Sequence, residues 1–209
     1  MYATYILIGL TALASIQAFQ NRSVFYKMLF NPTLITGNKE WHRFITHGFI
    51  HADFPHLIFN MLTLYFFGPS VETKFIAVFG AGKGIFLFIL LYIGGIVLSS
   101  YPSFEKQKHN TGYNAVGASG AVSAVVLSWI LIFPTSKLSF IILPFFGIPG
   151  FIFGLAYMLY SSYMAKRNTD NIGHDAHLWG AVFGLVFTSL IHYEFAILFI
   201  EQITEFFEG

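Results

Sequence analysis

The chain has 209 residues and a formal net charge of +1; 56% of its residues are hydrophobic, 19% aromatic and only 10% charged. A soluble domain carries about 25% charged residues, so this composition excludes an ordinary soluble enzyme, a disordered chain and a nucleic-acid-binding protein. The absence of cysteine excludes disulfides, thiolate metal sites and cysteine nucleophiles. We therefore predict an all-α, polytopic integral membrane protein.

Six apolar segments predict the membrane spans, because a spanning helix needs about 20 mostly apolar residues. The fifth contains Pro144, Pro149 and two nearby glycines, which predicts a late start or a kink. The sixth is interrupted only by His192 and Glu194. Together the segments predict one membrane domain over residues 1–209, with spans at about 2–19, 57–78, 85–101, 115–133, 138–164 and 177–200.

Two features at the start of the chain affect this assignment. No Lys or Arg precedes Arg22, so the first segment lacks the basic region of a signal peptide and is predicted to be a retained span. Residues 20–54 are too polar to span a membrane and too aromatic for a plain linker. They are predicted to form an amphipathic structure in the membrane interface.

Polar side chains occur at the start of the second, fourth and sixth segments, where they are costly unless functional. They include His56 and Asn60, whose spacing places them on one helical face, then Ser119, and finally His177. Consecutive spans alternate in direction, so these three segments begin at the same side of the membrane. The four side chains are therefore predicted to lie at a similar depth.

These residue types fit acyl transfer. A serine hydroxyl is a weak nucleophile until a base takes its proton, and Ser119 with His177 can supply that pair. Asn60, His56 and the Ser119 backbone N–H are candidates for stabilising the oxyanion. Asp175 lies two residues before His177, on another face of any shared helix, so a Ser–His dyad is predicted rather than a triad.

Glycines accompany both members of the dyad. Gly117 and Gly120 leave room for a substrate backbone beside the serine hydroxyl. Gly180 and Gly184 form a small-xxx-small face that allows close approach of the sixth helix to the fourth. The predicted facing positions on the fourth helix are Gly120, Ser123 and Ala124.

In these motifs the chain resembles the rhomboid intramembrane serine proteases of the minimal six-helix bacterial type. The resemblance extends from about Glu40 to the end of the sixth segment. Each motif alone is weak, but their joint order and spacing are specific. The matching residues are Arg43, Thr46, His47, His51, His56-x-x-x-Asn60, Gly68-x-x-x-Glu72, Gly117-Ala118-Ser119-Gly120 and His177-x-x-Gly180-x-x-x-Gly184.

The resemblance implies a six-helix rhomboid-like bundle that cleaves transmembrane protein substrates in the lipid bilayer without a cofactor. Ser119 would be the nucleophile and His177 the general base, with His56, Asn60 and the Ser119 amide forming the oxyanion hole. Residues 20–54 would be the membrane-embedded first loop, residues 164–174 a cap over the site, and the fifth helix a lateral gate. Structural roles are implied for Arg43, His47, His51, Glu72, Gly180 and Gly184.

The chain departs from the family pattern at two points. His42 stands between Trp41 and Arg43, which members usually have adjacent, so the first loop is expected to pack differently. Members often carry an aromatic residue four positions after the nucleophile, stacking on the catalytic histidine. Ser123 occupies that position here. Another side chain must then support the His177 ring, and the sequence does not identify it.

Three alternatives compete with the protease. His47 and His51 have the spacing of helical metal ligands, which would suit a membrane metalloenzyme, but Asp53 is the one carboxylate near them and no repeated His-rich box occurs. A non-catalytic rhomboid-like protein that binds clients is the second, although such proteins typically lack the serine or histidine kept here. A transporter is the third, although no inverted repeat is visible. No metal or nucleic-acid partner is predicted, and the oligomeric state is left open.

The orientation implied by the family conflicts with the charges. A cytoplasmic N-terminus, as in bacterial relatives, directs the active site towards the outer face of the cytoplasmic (inner) membrane. The inside segments then carry three basic residues, Lys74, Lys83 and Lys137, which opposes the positive-inside tendency. The outside segments carry the other eight, Arg22, Lys27, Lys39, Arg43, Lys106, Lys108, Lys166 and Arg167.

Overall fold

The computed structural model describes residues 2–140, 143–167 and 173–208, which are helical apart from one hairpin and the connections. The first long helix is followed by three short helices and a 3₁₀ turn, His47–Phe49. The helices are α1 (Tyr2–Gln20), α2 (Arg22–Met28), α3 (Pro32–Asn38), α4 (Arg43–Thr46), α5 (Phe54–Phe79), α6 (Ala81–Gln107), α7 (Ser119–Ile132), α8 (Gly150–Arg167), α9 (His174–Ile191) and α10 (Glu194–Glu208).

Length and hydropathy identify the helices that can cross a bilayer. Among the described helices, α1 and α6 are long and apolar enough alone, and α9 with α10 would make a third if this bent pair were one span. Helix α7 has only 14 residues but is strongly apolar. The chain is therefore a helical integral membrane protein, while the count of six spans stays a prediction.

Helix α7 lies at the centre of the bundle, packed against α5, α6 and α9. All of its residues except Ser119 and Trp129 are buried. Helices α7 and α9 run in the same direction, because Gly180 faces Gly120 and, one turn later, Gly184 faces Ala124. Ser119 is thus held at one end of the most enclosed helix of the protein.

Within the fifth predicted span the helix begins late, at Gly150, which is one of the two outcomes that its prolines predicted. The residues before α8 form an antiparallel hairpin of β1 (Lys137–Phe140) and β2 (Leu143–Pro149), in which Lys137 lies opposite Pro149. Residues 141–142 of the predicted span lie outside the described residues. Proline lacks the N–H that a helix interior requires. Helix α8 accordingly starts at Gly150, immediately after Pro149.

The helix at the start of the sixth predicted span ends at Ile191, while the predicted span to residue 200 stays a prediction. The chain is extended at His192, and α10 then leaves at 109° to α9. Phe195 at the start of α10 is buried against Phe75 of α5, with the ring centroids 6.3 Å apart. Because α10 is also apolar on one face, the sequence stays hydrophobic on both sides of the bend. The hydropathy of residues 177–200 therefore did not reveal the change of direction.

Residues 20–54 form the short helices α2 to α4, held together by Arg43. The guanidinium donates to the Glu40 carboxylate (2.6 Å) and to the backbone carbonyls of Tyr26 (2.8 Å) and Leu29 (2.7 Å). Arg43 is buried despite the histidine inserted before it. These bonds join α4 to α2 within the first loop, and the structural role of Arg43 stays a prediction.

Glu72 joins α5 to the start of α1. Its buried carboxylate accepts hydrogen bonds from the backbone N–H groups of Ala3 (3.1 Å) and Thr4 (3.0 Å) and from the Thr4 hydroxyl (2.7 Å). The first N–H groups of a helix have no partner within the helix. The acid predicted to be structural thus satisfies donors that burial would otherwise leave unpaired.

Candidate active site

Ser119 is the first residue of α7, and two residues before it Gly117 adopts a backbone conformation that other residues rarely adopt. Gly117 has φ +119°, which favours glycine, and a Cβ there would lie 2.6 Å from Cε1 of the His56 ring. Its N–H donates to the carbonyl of His47 at 3.0 Å. The backbone before the serine is therefore shaped on one side by α5 and on the other by the first loop.

His51 holds the next residue of this turn. Its Nε2 accepts a hydrogen bond from the N–H of Ala118 (3.3 Å), so Nδ1 carries the proton and donates to Ser15 Oγ (2.9 Å). Ser15 in turn donates to the Phe49 carbonyl at 3.1 Å. Burial lowers the pKa of His51 to about 3, which keeps the ring in the neutral form that this chain of bonds requires.

His47 is neutral for the same reason, since burial lowers its pKa to about 4. Its Nδ1–H donates to the Arg43 carbonyl (2.8 Å), and its Nε2 lies 3.0 Å from Ser100 Oγ on α6. Both ring nitrogens of His47 and of His51 thus bond to protein groups. The described residues contain no cluster of three or more side chains suited to a metal ion.

His56 and Asn60 occupy the first turns of α5. The Asp53 side chain caps this helix by accepting the His56 N–H at 2.8 Å. The His56 ring packs edge-on to His51 (4.8 Å) and against Gly117, which places it beside the turn that leads to Ser119. Asn60 is buried one turn further along, where one amide N–H donates to the His56 carbonyl at 2.9 Å.

His177 lies on the first turn of α9, half-buried. Gly180 follows it by one turn, and a Cβ at Gly180 would overlap the backbone carbonyl of Gly120. This contact brings the start of α9 against the start of α7, so Ser119 and His177 lie at corresponding levels of two parallel helices. The predicted close approach is present at Gly120 and at Ala124, whereas Ser123 faces α8.

Asp175 takes no part in a triad in the described structure. Its carboxylate lies 3.7 Å from Nζ of Lys106, at the end of α6. The ion pair joins α9 to α6, and the dyad without an acidic third member stays a prediction. The proposed cap, residues 164–174, falls partly outside the described residues, because 168–172 are not among them.

Sequence reasoning missed Tyr157 of α8. Its ring stacks on His177 with the centroids 6.2 Å apart and the planes at 20°, and its hydroxyl lies 2.6 Å from Ser123 Oγ. Ser123 occupies the position where family members often carry an aromatic residue. The sequence therefore indicated that the ring supporting His177 comes from another part of the chain. The helix that supplies it could not be chosen without knowing where α8 begins.

The chain is similar in sequence to known rhomboid proteins. A family model described as the Rhomboid domain matches residues 38–194. RHOMBOID-like protein 12, mitochondrial, from Arabidopsis thaliana is 31% identical over 150 residues, which cover 67% of this chain and 43% of that protein. Putative rhomboid protease YdcA from Bacillus subtilis is 35% identical over 85 residues, 41% of this chain and 38% of that protein.

A third relative is matched over more of its length. Rhomboid protease GlpG from Haemophilus influenzae is 26% identical over 156 residues, which cover 74% of this chain and 72% of that protein. By contrast, the chain spans less than half the length of the other two curated relatives. The similarity therefore concerns the membrane domain that these proteins share.

Proposed function

Because the chain belongs to the rhomboid family, we propose that it is an intramembrane serine endopeptidase with a Ser119–His177 dyad. Its substrates are membrane proteins, cut in or beside their transmembrane segments. The observation that carries the proposal is the contact between Gly120 and Gly180, which brings together the first turns of two parallel helices. One of those turns bears a serine and the other a histidine.

The reaction begins when Ser119 Oγ attacks the scissile carbonyl carbon and His177 takes the hydroxyl proton. The carbonyl oxygen becomes an oxyanion at the N-terminus of α7, where backbone N–H groups lack intrahelical acceptors and the helix dipole favours negative charge. His56 and the second amide N–H of Asn60 are the further donors. Losing one oxyanion donor costs about 3–4 kcal/mol in comparable sites.

Collapse of the tetrahedral intermediate breaks the C–N bond, and His177 returns its proton to the leaving amine. Water then attacks the acyl-enzyme, with His177 again acting as base, and releases the carboxylate product. Ser119 and His177 are each half-buried, which fits a site that water can enter from one end of the bundle. Each step uses side chains of this chain alone.

The substrate must lose helical structure before it is cut, because the amides of a transmembrane helix are bonded internally and shielded. Clients with small or helix-loosening residues near the membrane surface are therefore favoured. Entry takes place beside α8, the lateral gate of the proposal. We place the active site at the outer face of a bacterial cytoplasmic membrane, following the resemblance to the minimal bacterial type.

The proposal is tested in liposomes with a generic rhomboid transmembrane substrate. Cleavage should be lost in Ser119→Ala and in His177→Ala, and should be unaffected by a chelator. His192→Ala, at the opposite end of α9, is the matched control and should cleave normally. Chelator-sensitive cleavage by Ser119→Ala would overturn the dyad in favour of metal chemistry, and a wild-type protein that binds clients without cutting them would indicate a non-catalytic relative.

A further inference from the structure

Three aromatic rings form a continuous stack that ends on His177. Phe153 and Tyr157 lie one turn apart on α8, with ring centroids 6.0 Å apart and planes at 17°. Tyr157 and His177 continue the stack at 6.2 Å and 20°. The His177 ring is therefore nearly parallel to the ring of Tyr157, which lies on a different helix.

The hydroxyl of Tyr157 connects the same ring to Ser119. Ser123 Oγ lies 2.7 Å from the Ser119 carbonyl and 2.6 Å from the Tyr157 hydroxyl. A carbonyl can only accept, so Ser123 donates its one proton to Ser119, and Tyr157 must donate to Ser123. Through Ser123, the Tyr157 hydroxyl is thus linked to the backbone carbonyl of Ser119, while the Tyr157 ring stacks on His177.

We propose that Tyr157 is a positioning residue that holds the His177 ring towards Ser119, and that α8 thereby controls whether the dyad is assembled. This inference rests on the proposed dyad. The support comes from the helix at which a client is proposed to enter. Movement of α8 away from α7 and α9 would separate Tyr157 from Ser123 and from His177. His177 would then be held in position to act as the base only while α8 is packed against the active site.

Helix α8 packs against the rest of the protein through few buried residues. Only Gly150, Gly154 and Ser161 of its 18 residues are buried. An apolar cavity of about 180 Å³ lies between α8 and its neighbours, lined in part by Leu127 and Met158. Loosely packed elements open at lower free energy than core helices. Tyr157 therefore belongs to a helix of which few residues are buried.

A second tyrosine–histidine contact lies next to the first. The ring of Tyr160, on the following turn of α8, packs edge-on to His174 at 5.6 Å. His174 precedes His177 by one turn of α9, and their rings lie 5.8 Å apart. Helix α8 thus contacts the first turn of α9 at two successive histidines, and its position is linked to theirs.

Kinetics of Tyr157 variants test the proposal. Tyr157→Leu removes both ring and hydroxyl, and should lower kcat for a transmembrane substrate by about 10- to 100-fold, the effect of displacing a catalytic group by about 1 Å. KM should be unchanged, because Tyr157 acts on the base rather than on the client. Tyr157→Phe keeps the stack and should retain most of the activity that Tyr157→Leu loses.

Reaction with a small fluorophosphonate separates positioning from gating. The rate of Ser119 labelling should fall in Tyr157→Leu as kcat does, since the probe needs the base but not the lateral entry of a helix. Labelling at the wild-type rate together with lost client cleavage would overturn the proposal, because Tyr157 would then act in client entry. Tyr163→Leu, an exposed tyrosine on the same helix, is the matched control and should match wild type in both assays.

A double-mutant cycle tests the connection through Ser123. Ser123→Ala removes both hydrogen bonds, whereas Tyr157→Phe removes only the bond from Tyr157 to Ser123, so the double variant should lose no more kcat than Ser123→Ala alone. Fully additive losses would overturn this part of the proposal.

If wild-type cleavage proves independent of Ser119, the proposed dyad itself has failed. Dyad-dependent cleavage with normal kcat in Tyr157→Leu would refute only the positioning role of Tyr157.

Discussion

At the scale of single residues, two buried neutral histidines shape the backbone that leads to the proposed nucleophile. The His47 carbonyl accepts the N–H of Gly117, and the His51 ring accepts the N–H of Ala118. Both histidines were predicted from the resemblance to be structural, and the alternative was a pair of metal ligands. Their partners could not be predicted from the sequence, since they come from residues distant along the chain.

These histidines predict a loss of stability in acid. The folded-state pKa values, about 4 for His47 and about 3 for His51, lie below the usual value of 6.5. The unfolded chain therefore binds more protons below pH 6.5, and each group lowers the free energy of unfolding by about 1.4 kcal/mol per pH unit. The loss from His47 continues to about pH 4, and that from His51 to about pH 3.

Thermal unfolding in detergent between pH 8 and pH 4.5 measures this effect. The wild-type Tm should be steady above about pH 6.5 and fall steeply below it. His51→Gln, which keeps hydrogen-bonding groups but cannot titrate, should fall less steeply. His109→Gln, at an exposed position, is the control and should follow the wild type. An equal slope in His51→Gln and wild type would contradict the assigned role.

At the scale of elements, the sequence predicted which helices meet but not how each one starts or ends. Glycine spacing correctly indicated the approach of α9 to α7, because a missing Cβ is a local property visible in the sequence. The bend at His192 and the ring contributed by Tyr157 depend on where helices begin and turn. Those features are set by tertiary contacts, such as Phe195 on Phe75, that hydropathy does not encode.

Gly180→Ala tests the contact between α7 and α9. The added methyl would overlap the Gly120 carbonyl, forcing the helices apart at a cost of about 1–3 kcal/mol. Both Tm and client cleavage should therefore fall. Gly173→Ala is the matched control, because among the described residues its Cβ would meet Ala176 alone, at an ordinary 3.8 Å. Normal cleavage by Gly180→Ala would show that the helices need not be this close.

Movement of α8 can be tested with an introduced disulfide, since the chain has no cysteine. A Cβ at Gly154 would lie 3.2 Å from the Ile130 side chain of α7, so Gly154→Cys with Ile130→Cys can link the two helices. Oxidation should block cleavage of a transmembrane client but preserve fluorophosphonate labelling of Ser119. The reduced variant is its own control; full cleavage by completely crosslinked protein would contradict entry beside α8.

At the scale of the whole molecule, composition alone identified a helical membrane protein, and the motif order identified its family. The described helices place Ser119 and His177 at one end of the bundle, while α10 packs near the opposite ends of α5 and α7. The charges do not agree with the orientation implied by the family. Four of the eight basic residues assigned outside fall in residues 20–54, which pack as short helices rather than as a free loop.

Orientation can be measured with single cysteines in a bacterial host. Gly112→Cys lies in the exposed connection before α7, at the active-site end, and Glu205→Cys lies on the exposed part of α10. A membrane-impermeant maleimide should label Gly112→Cys in spheroplasts and label Glu205→Cys only after lysis. The reverse pattern would place the active site at the cytoplasmic face, as the charge count favours.

Covalent labelling asks whether Ser119 is a nucleophile that His177 activates. Wild-type protein in liposomes would be treated with a fluorophosphonate and the modified residue located by peptide mass spectrometry, beside Ser119→Ala, His177→Ala and the control Ser128→Ala. We expect an adduct on Ser119 in wild type and in Ser128→Ala, and none in Ser119→Ala or His177→Ala. An adduct on another serine, or undiminished labelling of Ser119 in His177→Ala, would contradict this expectation.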